Sequence, residues 1–202
     1  MKIINCEQGS EEWFSARCGI PSASNFDKIV TLKGEPSKQR EKYLFTLAAE
    51  RISGKKEETY SNFAMQRGIE LEDEARKYYE MDKNVEIEQV GFCLSDDGTY
   101  GCSPDGLVYP EDGHGLVEIK CPLAHTHIGY LIDGKMPSTY FQQVQGQILV
   151  TGADWCDFIS YYPGVKPFLI RVKKDEVFIK KLENELKLFT KELNEIVKKI
   201  GE

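Results

Sequence analysis

Two acids and a lysine lie where packing alone would not put them. In the stretch "CSPDGLVYPEDGHGLVEIKCP", Asp105 precedes one short apolar run, and Glu118 and Lys120 sit inside a second. Side chains alternate along a strand, so Glu118 and Lys120 share a face with Leu116, while Val117, Ile119 and Cys121 point the other way. Asp105 stands before the turn "PEDGHG", and pairing of the two runs across that turn would set the carboxylates of Asp105 and Glu118 side by side. Two close carboxylates repel unless a cation joins them. Hard oxygen donors of this kind suit Mg²⁺ or Mn²⁺, and the backbone carbonyl of Ile119 can complete the inner shell. Lys120 would then position or deprotonate an attacking water and stabilise charge developing on a phosphate. An isolated E-x-K reads as a solvated ion pair. The upstream "SPDG" and the apolar setting of "LVEIKCP" turn the balance towards metal-dependent chemistry.

A third acid adds to the argument. Placed at helical spacing, Met65, Gly68, Ile69, Leu71, Ala75, Tyr78 and Tyr79 form one arc, and Glu72 falls inside it. A carboxylate on a buried face is costly unless it is paired or binds metal. Two readings follow: an internal pair with Arg76 at i,i+4, or a place near the metal site. Farther on, "STYFQQVQGQILV" carries four glutamines. Gln143 and Gln145 can hydrogen-bond a phosphate or the attacking water, and their spacing does not choose between that and a polar helix face.

The elements that must position these groups are legible in outline. A short helix is expected over 22–30 and a longer one over 36–54, with Pro36 near its start and Gly54 after its end. A third covers 62–83. The segments 85–95, 99–109 and 115–122 are short, rich in β-branched and aromatic residues and bounded by turns, which predicts an antiparallel meander. Helix returns over 138–152, a hairpin over 155–174, and a charged amphipathic helix from Asp175 to Ile200. The order predicts an α/β fold, a sheet with helices packed against it, as one domain over 1–202.

Composition narrows the field. Apolar residues make up 41% and charged residues 29% of 202, an ordinary globular balance. No run approaches a membrane span, and the N-terminus lacks the basic-then-apolar pattern of a signal peptide. The six cysteines lack zinc-ribbon spacing, so reduced thiols in a cytoplasmic protein are expected. Cys121, His125 and His127 offer three zinc donors without a fourth; the two histidines are expected instead in the loop after the Glu118–Lys120 strand, near bound nucleic acid. The net charge of −7 argues against a general nucleic-acid binder, yet metal-holding carboxylates raise the acidic count of a nuclease.

The set D-(x)n-E-x-K, with an upstream helical Glu and a downstream Q-x-Q, resembles the PD-(D/E)XK nuclease superfamily, whose core is a central mixed β-sheet flanked by α-helices. "QGSEEWFSARCGIPSAS", "RGIELEDEAR", "SPDGL", "GLVEIKCP" and "YFQQVQGQILVTG" are similar, in order, to the blocks of the phage lambda exonuclease family, the YqaJ-type viral recombinases. The resemblance implies a Mg²⁺-dependent 5′-to-3′ exonuclease on double-stranded DNA ends, with two ions per site and Mn²⁺ as a substitute. It would release 5′-mononucleotides and leave a 3′ single-stranded tail. Asp105, Glu118 and the Ile119 carbonyl would hold metal, Glu72 would support it, Lys120 would be the catalytic lysine, and Gln143 would orient groups near the scissile phosphate. Arg17, Ser24 and Ser22 would bind the 5′-phosphate. That fits the planar fork of Arg and the anion preference of a helix start at Ser24, although an Arg17 salt bridge with Glu11 or Glu12 is the plainer reading of the residues alone. Met65 would wedge the duplex end, and Gln145 and Lys33, with Lys38 and Arg40, would reach DNA. The resemblance further implies a homotrimer, a single-strand annealing protein as partner, no membrane, and work in the cytoplasm of a bacterial host. The alternatives are another PD-(D/E)XK nuclease, either an endonuclease or a repair enzyme, and a non-catalytic DNA-end or protein-binding module.

Overall fold

A computed structural model describes residues 1–56, 63–111 and 113–201; the side chains of 63–66 and 69 lie outside that description. The chain starts in strand β1 (Lys2–Ile4) and helix α1 (Glu11–Arg17). Ser10 caps α1, its hydroxyl accepting the Trp13 N–H at 3.2 Å, with Glu11 and Glu12 in the first turn and Arg17 in the last. That charge order suits the helix dipole. A 3-10 helix (Ala23–Lys28) stands where an α-helix was expected over 22–30. Helix α2 (Arg40–Ser53) and helix α3 (Phe63–Lys83) follow.

The expected meander divides between two sheets. Strands β2 (Phe92–Leu94) and β3 (Gly101–Cys102) join β1 in a three-stranded antiparallel sheet. Strands β4 (Gly106–Val108) and β5 (Gly115–Lys120) begin a second, mixed sheet of order β4-β5-β6-β7. The chain crosses over from β5 through helix α4 (Ala124–Asp133) and helix α5 (Phe141–Thr151) to β6 (Trp155–Ser160), which pairs parallel to β5; β7 (Phe168–Lys173) closes antiparallel. Gly152, at φ +73°, ends α5, a left-handed cap that glycine adopts without steric cost.

Both faces of β5 are covered, which is why its sequence runs nearly continuously apolar. Leu116 belongs to the core built with Val144 and Ile148 of α5. Val117 and Ile119 pack on the other face with Ala75 and Tyr79 of α3. Helix α6 (Glu176–Ile200) is capped by Asp175, whose carboxylate accepts the Phe178 N–H at 2.9 Å. It buries Phe178, Leu182, Leu186, Phe189 and Leu193 and stacks Phe189 on Tyr43 of α2 at 5.8 Å. A Cβ at Gly146 would overlap the Phe26 ring, so glycine lets α5 lie directly on the 3-10 helix. Among the described residues no helix is long and apolar enough to cross a membrane, and all six cysteines are free thiols.

Four expectations about individual side chains change. Gln145 is buried at 1% exposure, donating to the Lys173 carbonyl at 3.0 Å and accepting the Asp175 N–H at 2.8 Å. It ties α5 to the start of α6 and is not available to DNA. His125 and His127 lie in α4 rather than a loop. His127 is fully buried, with Nδ1 on the Ser160 hydroxyl at 2.8 Å and Nε2 on the Lys166 carbonyl at 2.9 Å; a carbonyl only accepts, so Nε2 carries the proton, and neither nitrogen is free for zinc or nucleic acid. Arg40 is held bidentate by Glu192 at 2.7 and 3.1 Å.

Candidate active site and end-binding pocket

The register of β4 and β5 decides where the acids meet. Gly106 stands opposite Val117, so Asp105, one residue earlier, stands opposite Glu118. The Asp105 carboxylate turns onto the β5 edge, where Oδ2 accepts the Ile119 N–H at 2.5 Å. A strand residue points its N–H and C=O to the same neighbour, so the Ile119 carbonyl faces that edge too.

Glu118 is 1% exposed. Its Oε1 accepts from the Lys120 ammonium and from Gln143 Nε2, the latter at 2.6 Å. Its Oε2 accepts from Gln147 Nε2 at 2.6 Å. Spacing on α5 thus delivers two glutamines, one turn apart, to one carboxylate. The residues alone leave Gln143 open and the resemblance puts it near the scissile phosphate; in the structure it meets Glu118 instead. Gln147 has no role in the sequence reading, because four glutamines in one helix look alike until the packing face is known.

The electrostatics follow from burial. The Asp105 carboxyl is pushed well above the usual carboxylate range, first by burial and then by the Glu118 charge. Burial pulls the Lys120 ammonium down, but Glu118 and Asp105 outweigh it and the net shift is upward. Glu72 is raised, mainly by burial, with Lys120 and Glu118 among the charges it feels. It pairs with Arg76 at 2.8 Å, the internal pair the helix spacing allowed, while facing the same site.

This donor set fits a hard divalent cation. Asp105 and Glu118 supply carboxylate oxygens on one edge, the Ile119 carbonyl lies beside them, and the mutual repulsion that raises Asp105 is relieved by a cation. Among the described residues no three His, Cys, Asp or Glu side chains form a set that could hold a metal ion, and Glu72 is engaged by Arg76.

A sign follows for stability. An acid raised on folding favours the fold below its ordinary pKa, and that contribution is lost as pH rises through the raised value. A divalent ion reverses the loss by stabilising the ionised form. The melting-temperature gain from saturating Mg²⁺ should therefore grow from about pH 5.5 to about pH 8.5. Equal gains at both pH values in a thermal melt would contradict it.

The second feature is a cationic pocket. Arg17 Nη2 donates to Ser22 Oγ and Ser24 Oγ, each at 3.3 Å, and its guanidinium lies 4.0 Å from the Trp13 ring centroid. Its Nε is buried without a partner among the described residues. Neither Glu11 nor Glu12 claims it. Around it opens a cavity of about 350 Å³, lined by Arg17, Ser22, Asn25, Lys28, Lys42 and Lys56 among others. Lys33 is not among these lysines; it lies on an exposed turn with its carbonyl bound by Lys181 at 3.0 Å. Only the fold of α2 against the 3-10 helix brings the three together. Ser24 lies inside the 3-10 helix, one residue past its first position. Met65 falls within α3, and its side chain is outside the described residues.

The pocket and the acids are physically joined. Trp13 Nε1 donates to Ser103 Oγ at 2.8 Å, and Gln8 Nε2 donates to the carbonyls of Val90 and Pro104, both at 2.9 Å. The "QGSEEW" block therefore straps the segment that carries Asp105. Arg67 Nη1 donates to the Pro122 carbonyl at 3.2 Å, holding the exit of β5.

A mixed sheet carrying Asp105, Glu118 and Lys120 at one strand edge, with helices on both faces, is the PD-(D/E)XK nuclease core. The chain belongs to the family of the YqaJ-like viral recombinase domain, which matches residues 12–154. It is similar to the alkaline exonuclease LHK-Exo from Laribacter hongkongensis, at 36% identity and a TM-score of 0.84 over 95% of this chain and 96% of that one. The same protein in complex with dAMP gives a TM-score of 0.85 at 36% identity and the same coverage. A phage-related exonuclease from Haemophilus somnus shares the fold, at a TM-score of 0.70 and 14% identity over 90% of this chain and 96% of that one. The uncharacterized protein R354 of Acanthamoeba polyphaga mimivirus is 28% identical over 170 residues, which is 79% of this chain and 30% of that protein's length.

Proposed function

We propose that this chain is a divalent-metal-dependent exonuclease that degrades double-stranded DNA from its ends, 5′ to 3′. It would release 5′-mononucleotides and leave a 3′ single-stranded tail for single-strand annealing. The carrying observation is the meeting of Asp105 with Glu118 and Lys120 at the β5 edge, strapped through Trp13 and Ser103 to the pocket of Arg17. The similarity to LHK-Exo, a protein solved with the 5′-mononucleotide dAMP, supports the product class.

Divalent ions, two Mg²⁺ in this reading with Mn²⁺ able to replace them, supply charge for the scissile phosphate and a more acidic water. Asp105, Glu118 and the Ile119 carbonyl hold the site, and Glu72 lends further negative charge. Gln143 keeps Glu118 in place. Lys120, held protonated by its two acids, orients water and donates to the phosphate oxygen on which charge develops. Arg17, with Ser22 and Ser24, grips the terminal 5′-phosphate and so sets how far the chain end reaches into the site. The reading includes a homotrimer acting with a single-strand annealing protein in the cytoplasm of a bacterial host.

The test is linear duplex DNA phosphorylated at one 5′ end, with Mg²⁺ or a chelator, beside closed circular DNA. The strand beginning at the phosphate should disappear first, only with metal, and the circle should survive. Cutting of the circle would favour an endonuclease. In the same assay Arg17→Ala should slow phosphorylated ends about ten- to a hundredfold, the value of charged hydrogen bonds, and leave 5′-hydroxyl ends unchanged. Equal slowing of both end types would remove the phosphate-binding role.

A further inference from the structure

Gln147 is oriented at the expense of its own hydrogen bonding. It is 1% exposed, and its Nε2 donates to Glu118 Oε2 at 2.6 Å. Its Oε1 is buried and has no partner among the described residues. A buried amide ordinarily satisfies both ends. Turning this one over would aim its oxygen at a carboxylate oxygen, acceptor against acceptor. Glu118 therefore dictates the orientation, and the fold leaves a carbonyl unsatisfied to keep an N–H there.

The other buried glutamines of α5 behave differently. Gln145 satisfies both ends on the backbone of Lys173 and Asp175. Gln142 donates to the Val30 carbonyl at 3.3 Å. Lys120 and Gln143 both meet Oε1 of Glu118, so among the described residues Gln147 alone restrains Oε2. Without it the carboxylate is free to pivot about its Oε1 contacts.

We infer that Gln147 is a positioning residue of the metal site, fixing the plane of the Glu118 carboxylate by holding Oε2 while Lys120 and Gln143 hold Oε1. This rests on the metal-dependent reading above and assigns a residue that reading does not use. Outer partners of metal ligands typically change metal affinity by about ten- to a hundredfold.

The test is calorimetric Mn²⁺ binding to the full chain without DNA, comparing the parent with Gln147→Met, Gln147→Asn and, as a buried comparator on the same helix, Gln145→Met. Both Gln147 variants should bind Mn²⁺ about ten- to a hundredfold more weakly. Gln145→Met should melt at a lower temperature and keep the parent affinity. Should Gln147→Met fail to fold, Gln147→Asn decides, since it keeps a polar amide one methylene short of Glu118. Parent affinity in a folded Gln147 variant overturns the inference, and so does an equal loss in Gln145→Met, which would trace the effect to helix packing. A parent that binds no Mn²⁺ removes the metal-dependent reading itself, and this inference with it.

Discussion

Lys120→Met should leave a folded protein that still binds Mn²⁺ but digests linear duplex DNA about a thousandfold more slowly. The methionine keeps the length and apolar stem of the lysine, so the stem's packing survives; the Lys120 ammonium lies 5.3 Å from the Tyr140 ring centroid. What disappears is the ammonium that Glu118 and Asp105 hold charged. At a side chain that is 26% exposed beside a buried carboxylate, a fixed positive charge aimed at a phosphate oxygen is worth more than in bulk solution. Release of acid-soluble nucleotide, measured with Mn²⁺ binding on the same preparation, checks it. Near-parent rates would show that Lys120 is only the ion partner of Glu118.

Glu118→Gln should fail differently. It preserves shape and removes the charge, so Mn²⁺ binding should fall by about a hundredfold or more and digestion by about a thousandfold. Excess Mn²⁺ should recover part of the rate, which it should not do for Lys120→Met. Loss of the charge also removes one of the three causes, after burial and beside Glu72, that raise the Asp105 carboxyl. The metal-free variant should therefore lose less stability between about pH 5.5 and about pH 8.5 than the parent does. Thermal melts at the two pH values, with and without metal, read this out. Parent-like Mn²⁺ affinity would place the ion elsewhere.

The sequence by itself determined the chemistry of β5. Alternation alone put Glu118 and Lys120 on the Leu116 face and Val117 and Ile119 on the other, and the structure divides those residues between two cores in that way. It also set the long helices, because an amphipathic period sustained over several turns leaves few other folds for a segment. Local signals end there. Nothing in 85–122 announces that the expected meander splits, since β2 to β5 read alike and partner choice depends on what each edge meets. The parallel pairing of β5 with β6 spans 34 residues of intervening crossover, and no neighbouring residue encodes a partner that distant. For the same reason the tertiary structure alone decided which glutamines reach Glu118, why Gln145 and His127 are structural, and which lysines line the pocket of Arg17. A side chain's type and period are written into its own segment. The surface it faces is supplied by other segments, and only packing brings those into contact.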